Sequence, residues 1–165
     1  MPPSDGANAY DIRIARDGTW YHEGAPINRK PLVKLFASVL WRDDGGGYWL
    51  RTPVERGRIE VEDAPFTAVE LRVSGQGRDQ VLAFRTNLDD WVEAGPQHPL
   101  RVVEGPAKDD VSPYILVRDR LEALILRPVY YELAGLAVAA PEEQAAAGTL
   151  GVWSRGEFFV LGSSE

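Results

Sequence analysis

Arginine is the residue type with the most chemistry to offer in this chain. Arg29, Arg51, Arg118 and Arg127 each fall at the edge of an expected helix or strand, beside apolar or aromatic neighbours. A guanidinium fork at such a place binds phosphate or carboxylate through paired N–H donors. The competing use is intramolecular: Arg118 with Glu122 across a hairpin, or Arg51 with Glu60 on a facing strand. Gly45-Gly46-Gly47 has the composition of a phosphate cradle. The order helix, glycines, strand presents the wrong helix end to an anion, however, so a helix-ending turn is expected. His22 and His98 sit in expected turns or loops without the i, i+4 spacing of a helical metal pair, and read as solvated or backbone-bonded. Ser154 and Ser163-Ser164 lack the Gly-x-Ser-x-Gly elbow of a serine nucleophile. The pairs Asp43-Asp44, Asp89-Asp90, Asp109-Asp110 and Glu142-Glu143 read as solvated turn residues. Glu62-Asp63 differs because it ends a strand just before Pro65. Tyr130 and Tyr131 could stack on a base, although core or edge packing accounts for them as well.

Composition narrows the function classes. The chain has 165 residues, no Cys, two His, and 18 Lys+Arg against 25 Asp+Glu, a formal net charge of −7. Without Cys there is no disulfide framework, no thiolate nucleophile and no Cys-based metal site. The acidity argues against general nucleic-acid binding, whose affinity comes from neutralising phosphates. It is also uneven: up to Gln80 there are 11 basic and 12 acidic residues, and beyond it 7 and 13. No apolar run approaches the ~18 residues of a membrane span. The start, residues 1–10, has neither the basic nor the apolar region of a signal peptide and is expected to be a frayed end. A cytoplasmic protein without metal or cofactor is the expectation.

The elements that must position these residues follow from periodicity. Asp11 to Arg16 alternates as a strand, Asp17-Gly18 is a turn, and Thr19-Trp20-Tyr21 returns. Leu32, Leu35, Phe36, Val39 and Leu40 form one apolar helical stripe, with Pro31 in its first turn. The period then changes to two. Strands are expected at Tyr48 to Thr52, Arg58 to Glu62, Thr67 to Val73, Gln80 to Thr86, Leu100 to Val103, Tyr114 to Arg118 and Leu121 to Leu126. A second helix follows Pro128, with Val129, Leu133, Leu136 and Ala137 on one face. Gly148 to Ser154 and Glu157 to Leu161 form a closing hairpin turned at Arg155-Gly156. Two short helices among many strands make an α+β protein.

The two helices sit in similar company. Ile14-Ala15-Arg16-Asp17 leads through a hairpin to Arg29-Lys30-Pro31, a helix and Tyr48-Trp49-Leu50. Leu116-Val117-Arg118-Asp119 leads through a hairpin to Arg127-Pro128, a helix and Gly151-Val152-Trp153. This echo suggests a duplicated hairpin–helix–strand motif and two small lobes, 11–76 and 77–165. Ligand sites often lie between lobes.

Several blocks resemble a bacterial family known as domain of unknown function number 1285. They include Asp17-Gly18-Thr19-Trp20-Tyr21-His22-Glu23-Gly24-Ala25-Pro26-Ile27, Arg29-Lys30-Pro31-Leu32-Val33, Thr52-Pro53-Val54-Glu55 and Val61-Glu62-Asp63-Ala64-Pro65-Phe66. Thr86-Asn87, Ala94-Gly95-Pro96-Gln97-His98-Pro99, Pro113-Tyr114 and Gly151-Val152-Trp153-Ser154 continue the likeness over nearly the whole chain. Val117-Arg118 with Leu121-Glu122-Ala123-Leu124 fits too, but Asp119-Arg120 departs from the likeness, which implies small residues, often Gly, after Val117-Arg118. The resemblance implies an α+β fold with a duplicated motif and a C-terminal part loosely similar to pleckstrin-homology folds. It also implies a pocket for a nucleotide-like molecule at the lobe interface, and a role in signal transduction.

Together these readings lead to a non-catalytic ligand-binding or regulatory protein. Arg29, Arg118 and Arg127 are expected to hold an anion, with Thr52, Glu55 and Asn87 as orienting hydrogen-bond partners. The runner-up is a protein-interaction module using C-terminal sheet edges. A metal-dependent hydrolase built on Glu62-Asp63 comes third.

Overall fold

The computed structural model describes residues 10–106 and 110–163. The expected frayed start thus lies outside the described residues up to residue 9, as does residue 109 of the Asp109-Asp110 pair. Strands dominate, with two short helices, in keeping with an α+β protein. The chain divides into two compact units. The first runs to Phe66 and takes in Asp119–Leu121; the second holds Thr67–Arg118 and everything from Glu122 onward.

The first unit is built on one six-stranded sheet. Its strands are β1 (Ile12–Ile14), β2 (Trp20–His22), β3 (Ala25–Pro26), β4 (Leu40–Arg42), β5 (Tyr48–Arg51) and β6 (Arg56–Val61), in the order β3-β2-β1-β6-β5-β4. All neighbours are antiparallel except β1 and β6, which run parallel. Helix α1 (Lys30–Ala37) lies between β3 and β4 in sequence, with Pro31 in its first turn, where a missing N–H costs nothing. It buries Val33 and Ala37, four residues apart, and its Phe36 ring stacks on the buried Trp20 with centroids 6.3 Å apart.

Helix α1 is shorter than the expected stripe. The Ser38 hydroxyl donates to the Leu35 carbonyl, a local bond that competes with the helix ladder. Leu35 is left exposed, and Leu40 is buried as a strand residue facing Leu50. The glycines therefore do not end a helix. Asp43 to Gly47 turns the β4–β5 hairpin, and Gly46 sits at φ 91°, a conformation that favours glycine.

The second unit contains a three-stranded sheet and a six-stranded one, apart from the strand-opening residues Phe66 and Leu121, which belong to the first unit. The larger comprises β7 (Phe66–Ser74), β8 (Val81–Thr86), β9 (Trp91–Glu93), β10 (Leu100–Glu104), β11 (Val111–Arg118) and β12 (Leu121–Ile125), ordered β10-β11-β12-β7-β8-β9. A bulge between Ala68 and Glu70 resets the alternation expected along β7. Helix α2 (Arg127–Ala134) buries Val129 and Leu133 as expected; Leu136 and Ala137 lie past its end. Strands β13 (Val138–Ala139), β14 (Thr149–Ser154) and β15 (Glu157–Ser163) form the small sheet. Its hairpin turns at Arg155-Gly156, both at positive φ.

The internal echo appears as element order. Each time a hairpin precedes an eight-residue helix with Pro in its first turn, and an antiparallel three-strand meander follows. The short strand β4 takes the end of the expected helical stripe, and β13 lies where only a loop was expected.

Candidate functional site

The β4–β5–β6 meander sets a row of arginines and aromatic rings on one face. Trp41 pairs with Trp49, Trp49 with Arg58, and Arg51 with Arg56. Side chains alternate along a strand, so all five share a face, while Leu40, Leu50, Gly57 and Ile59 occupy the buried one. The neighbouring strands continue the outer face with Arg13, which pairs with Glu60 and Tyr21.

Guanidinium groups lie over the rings throughout this face. Arg51 Cζ is 4.4 Å from the Trp41 ring centre. Arg56 and Arg58 lie 5.3 and 5.8 Å from that of Trp49, and Arg13 lies 4.2 Å from that of Tyr21. A guanidinium stacked on a ring uses its π face and keeps its N–H donors in plane for an acceptor. Arg51 and Arg56, both exposed, stand directly opposite each other across the strands. Among the described residues, Arg51 has no ion pair.

Asp43 fixes the rings from the hairpin loop. Its Oδ1 accepts from the N–H groups of Gly45 and Gly47 at 2.9 and 2.8 Å, and its Oδ2 accepts from Trp49 Nε1 at 2.7 Å. The Trp49 bond first, and then the loop N–H groups, hold the Asp43 carboxyl below its ordinary value. The loop donors that a phosphate would need are thus already turned to a carboxylate of the same loop.

The residues singled out from sequence fall in several places. Thr52 and Glu55 close the β5–β6 turn beside Arg51 and Arg56. Thr52 Oγ1 accepts from the N–H of Glu55 at 3.1 Å, and the Thr52 N–H donates to the Glu55 carbonyl at 2.8 Å. Burial, and then the neighbouring Glu55 carboxylate, push the Tyr10 phenol up. Arg29 precedes α1 and is exposed, with an extended backbone. In the second unit, Asn87 Oδ1 accepts from the Thr67 N–H at 3.0 Å, and the Asn87 N–H donates to the Thr67 carbonyl at 2.9 Å. Arg118 ends β11, and Arg127 opens α2, exposed.

The pairing expected between Arg51 and Glu60 does not form in register. Glu60 faces Arg13, which leaves Arg51 opposite Arg56. Glu122 accepts from Arg101 through two bonds of 3.0 and 2.8 Å. Glu62 pairs with Arg13, and Asp63 with Arg16 at 3.0 Å. No cluster of three metal-ligating side chains occurs among the described residues. Ser154 is fully buried, donating to the Ala94 carbonyl at 2.7 Å and accepting from the Leu82 N–H at 2.9 Å. Arg56 and Arg58 were not singled out from sequence, though their i, i+2 spacing on a strand marks one face.

Residues 2–64 match the family model "Domain of unknown function (DUF1285), N-terminal domain", and residues 65–161 match "Protein of unknown function (DUF1285), C-terminal domain". A DUF1285 family protein of Silicibacter pomeroyi has a similar crystal structure, with 46% identity and a TM-score of 0.83 over 93% of this chain and 80% of that one. Another, from Shewanella baltica, is 26% identical with a TM-score of 0.59, over 78% of this chain and 94% of that one. No curated protein matches. With both halves matched in order and the architecture shared, the chain belongs to the DUF1285 family, whose function is unknown.

Proposed function

We propose that this protein binds an anionic, nucleotide-like small molecule without catalysing a reaction, and that Arg51 and Arg56 hold the anion. One observation carries the reading: two exposed arginines, Arg51 and Arg56, stand in register across β5 and β6. Like charges facing across strands are destabilising, by roughly 0.2–1 kcal/mol. A phosphate or carboxylate bridging them turns that cost into binding energy. The half-buried Trp41 lies beside Arg51, the buried Trp49 backs Arg56, and the Thr52–Glu55 turn borders the pair. Arg29, Asn87, Arg118 and Arg127 belong to the proposal as further candidates, to be tested separately. A signalling role, and a loose pleckstrin-homology likeness of the C-terminal part, are carried with it; strands with a single helix there support the likeness.

The test is a thermal-shift and calorimetric screen with adenosine and guanosine mono-, di- and triphosphates, inorganic phosphate and sulfate. A ligand at a hundred times its Kd stabilises the folded state by about 2.7 kcal/mol. The expected result is a rise in Tm with at least one nucleotide, abolished in Arg51→Gln/Arg56→Gln. A shift lost only in Arg29→Gln/Arg118→Gln/Arg127→Gln moves the site to those arginines. No shift with any of these anions overturns the proposal.

A protein-interaction module is the second reading, favoured by the edge strand β13. Val138 there and Val160 on β15 both face Gly151 in register and are 47% and 51% exposed. Capture of a stoichiometric partner, abolished by Val138→Lys, supports it.

A further inference from the structure

The second unit carries a cavity of about 380 Å³ between the end of β9 and the β14–β15 turn. Ligand pockets begin at about this size. Its polar wall is supplied by Glu93, Gln97, His98 and Arg155, and Trp91 supplies a 39% exposed ring, one face of which Arg72 covers at 4.4 Å.

The walls are fixed by the fold. Gly95 and His98 exchange backbone hydrogen bonds of 3.2 and 3.1 Å around Pro96-Gln97, closing a tight turn. The Arg155 stem lies over Gly95, where an added Cβ would come within 3.1 Å of Arg155 Cβ. The Arg155 N–H donates to the Gln80 carbonyl at 3.0 Å, and the preceding Ser154 is locked to Ala94 and Leu82. The two sides of the cavity, distant in sequence, are therefore held at a set separation.

The chemistry is that of a site for both signs of charge. Arg155 spends one donor on Glu93, at 2.6 Å, and its side chain is half exposed. A guanidinium has five N–H donors, so others remain for a carboxylate. His98 Nδ1 lies 2.9 Å from the Leu116 carbonyl oxygen. A carbonyl only accepts, so Nδ1 carries a proton, and the tautomer this bond selects leaves Nε2 as an acceptor. An acidic group, a basic group, a neutral acceptor and an aromatic wall match a zwitterion with a flat side chain.

We infer that this cavity binds a free aromatic α-amino acid. The carboxylate takes the remaining donors of Arg155, the ammonium group is shared by Glu93 and His98 Nε2, and the ring lies along Trp91. This is independent of the anion site on the first sheet.

The test is calorimetric titration of the full chain with phenylalanine, tyrosine and tryptophan, alongside their amides, their N-acetyl derivatives and glycine. Binding of at least one free aromatic amino acid is expected. Blocking either end, or using glycine, should weaken it about tenfold or more. Arg155→Gln should remove the discrimination against the amide, and Glu93→Gln the discrimination against the N-acetyl derivative. These half-exposed side chains leave the fold intact, which circular dichroism checks. Arg51→Gln/Arg56→Gln should bind the amino acid as the parent does, so failure here is separable from failure of the nucleotide site. No binding at millimolar concentration, or binding unchanged in both Arg155→Gln and Glu93→Gln, overturns the inference.

Discussion

Asp43 shows how much one carboxylate can organise. It accepts from two loop N–H groups and from the indole of Trp49, and so orients the ring over which Arg56 and Arg58 lie. Asparagine has one acceptor oxygen and cannot satisfy both sets of donors. Asp43→Asn should therefore lower the melting temperature, and Asp43→Ala should lower it at least as much. The folded-state pKa of Asp43 lies below the ordinary 3.8, so its stabilisation is present above that value and is lost as pH falls through the folded pKa. The Tm gap between parent and Asp43→Asn should narrow across that acidic window. A gap unchanged into strong acid would show that the charge is not what matters. Ser154 is a different case, a hydroxyl with two buried backbone partners on other segments. Ser154→Ala strands the Leu82 N–H and the Ala94 carbonyl, at a cost of about 1–3 kcal/mol in denaturant unfolding.

At the scale of elements, the two-residue turns carry local strain with a purpose. Asp119 and Arg120 sit at φ 44° and 69°, the left-handed pattern of a type I′ hairpin. The small residues that the family likeness implies at these positions suit that pattern. Arg120 also bonds to Asp44 at 2.5 Å, and its carbonyl accepts from Arg42 at 3.2 Å. Arg120→Gly and Arg120→Ala both delete the ion pair, but only glycine relieves the backbone. Arg120→Gly should thus be the more stable of the two by about 1 kcal/mol in urea unfolding. Equal stabilities would mean that the turn is not left-handed. Sequence periodicity carried both helices and the longer strands because each spans enough residues for a pattern to repeat. It missed β3, β4, β9 and β13, which are two or three residues long and are defined by their partners. Leu40 fits a helical stripe and a strand equally well; its pairing with Leu50 decides. The candidate site was half legible for the same reason. Arg51 stood out at a strand edge, but its opposition to Arg56 depends on hairpin register, which local spacing does not state.

For the whole molecule, ionisation gives a pH limit at the alkaline end. Burial first raises the phenols of Tyr10 and Tyr130, with Glu55 and Glu104 adding to it. Stability from a raised pKa is complete below the unfolded value, about 10, and is lost as pH rises through the folded value. Unfolding midpoints should fall above about pH 10, and Tyr130→Phe should flatten that fall. If the variant and the parent decline in parallel, Tyr130 is not responsible. The molecule also has an order of assembly written into its chain. The first compact unit ends near Phe66 but includes Asp119–Leu121, and Leu121 is fully buried. During synthesis, the part translated first therefore waits for more than fifty later residues before its own last piece exists. The N-terminal unit is early in translation and late in completion, so a chain truncated before Asp119 is expected to be cleaved there by proteases more readily than the full chain.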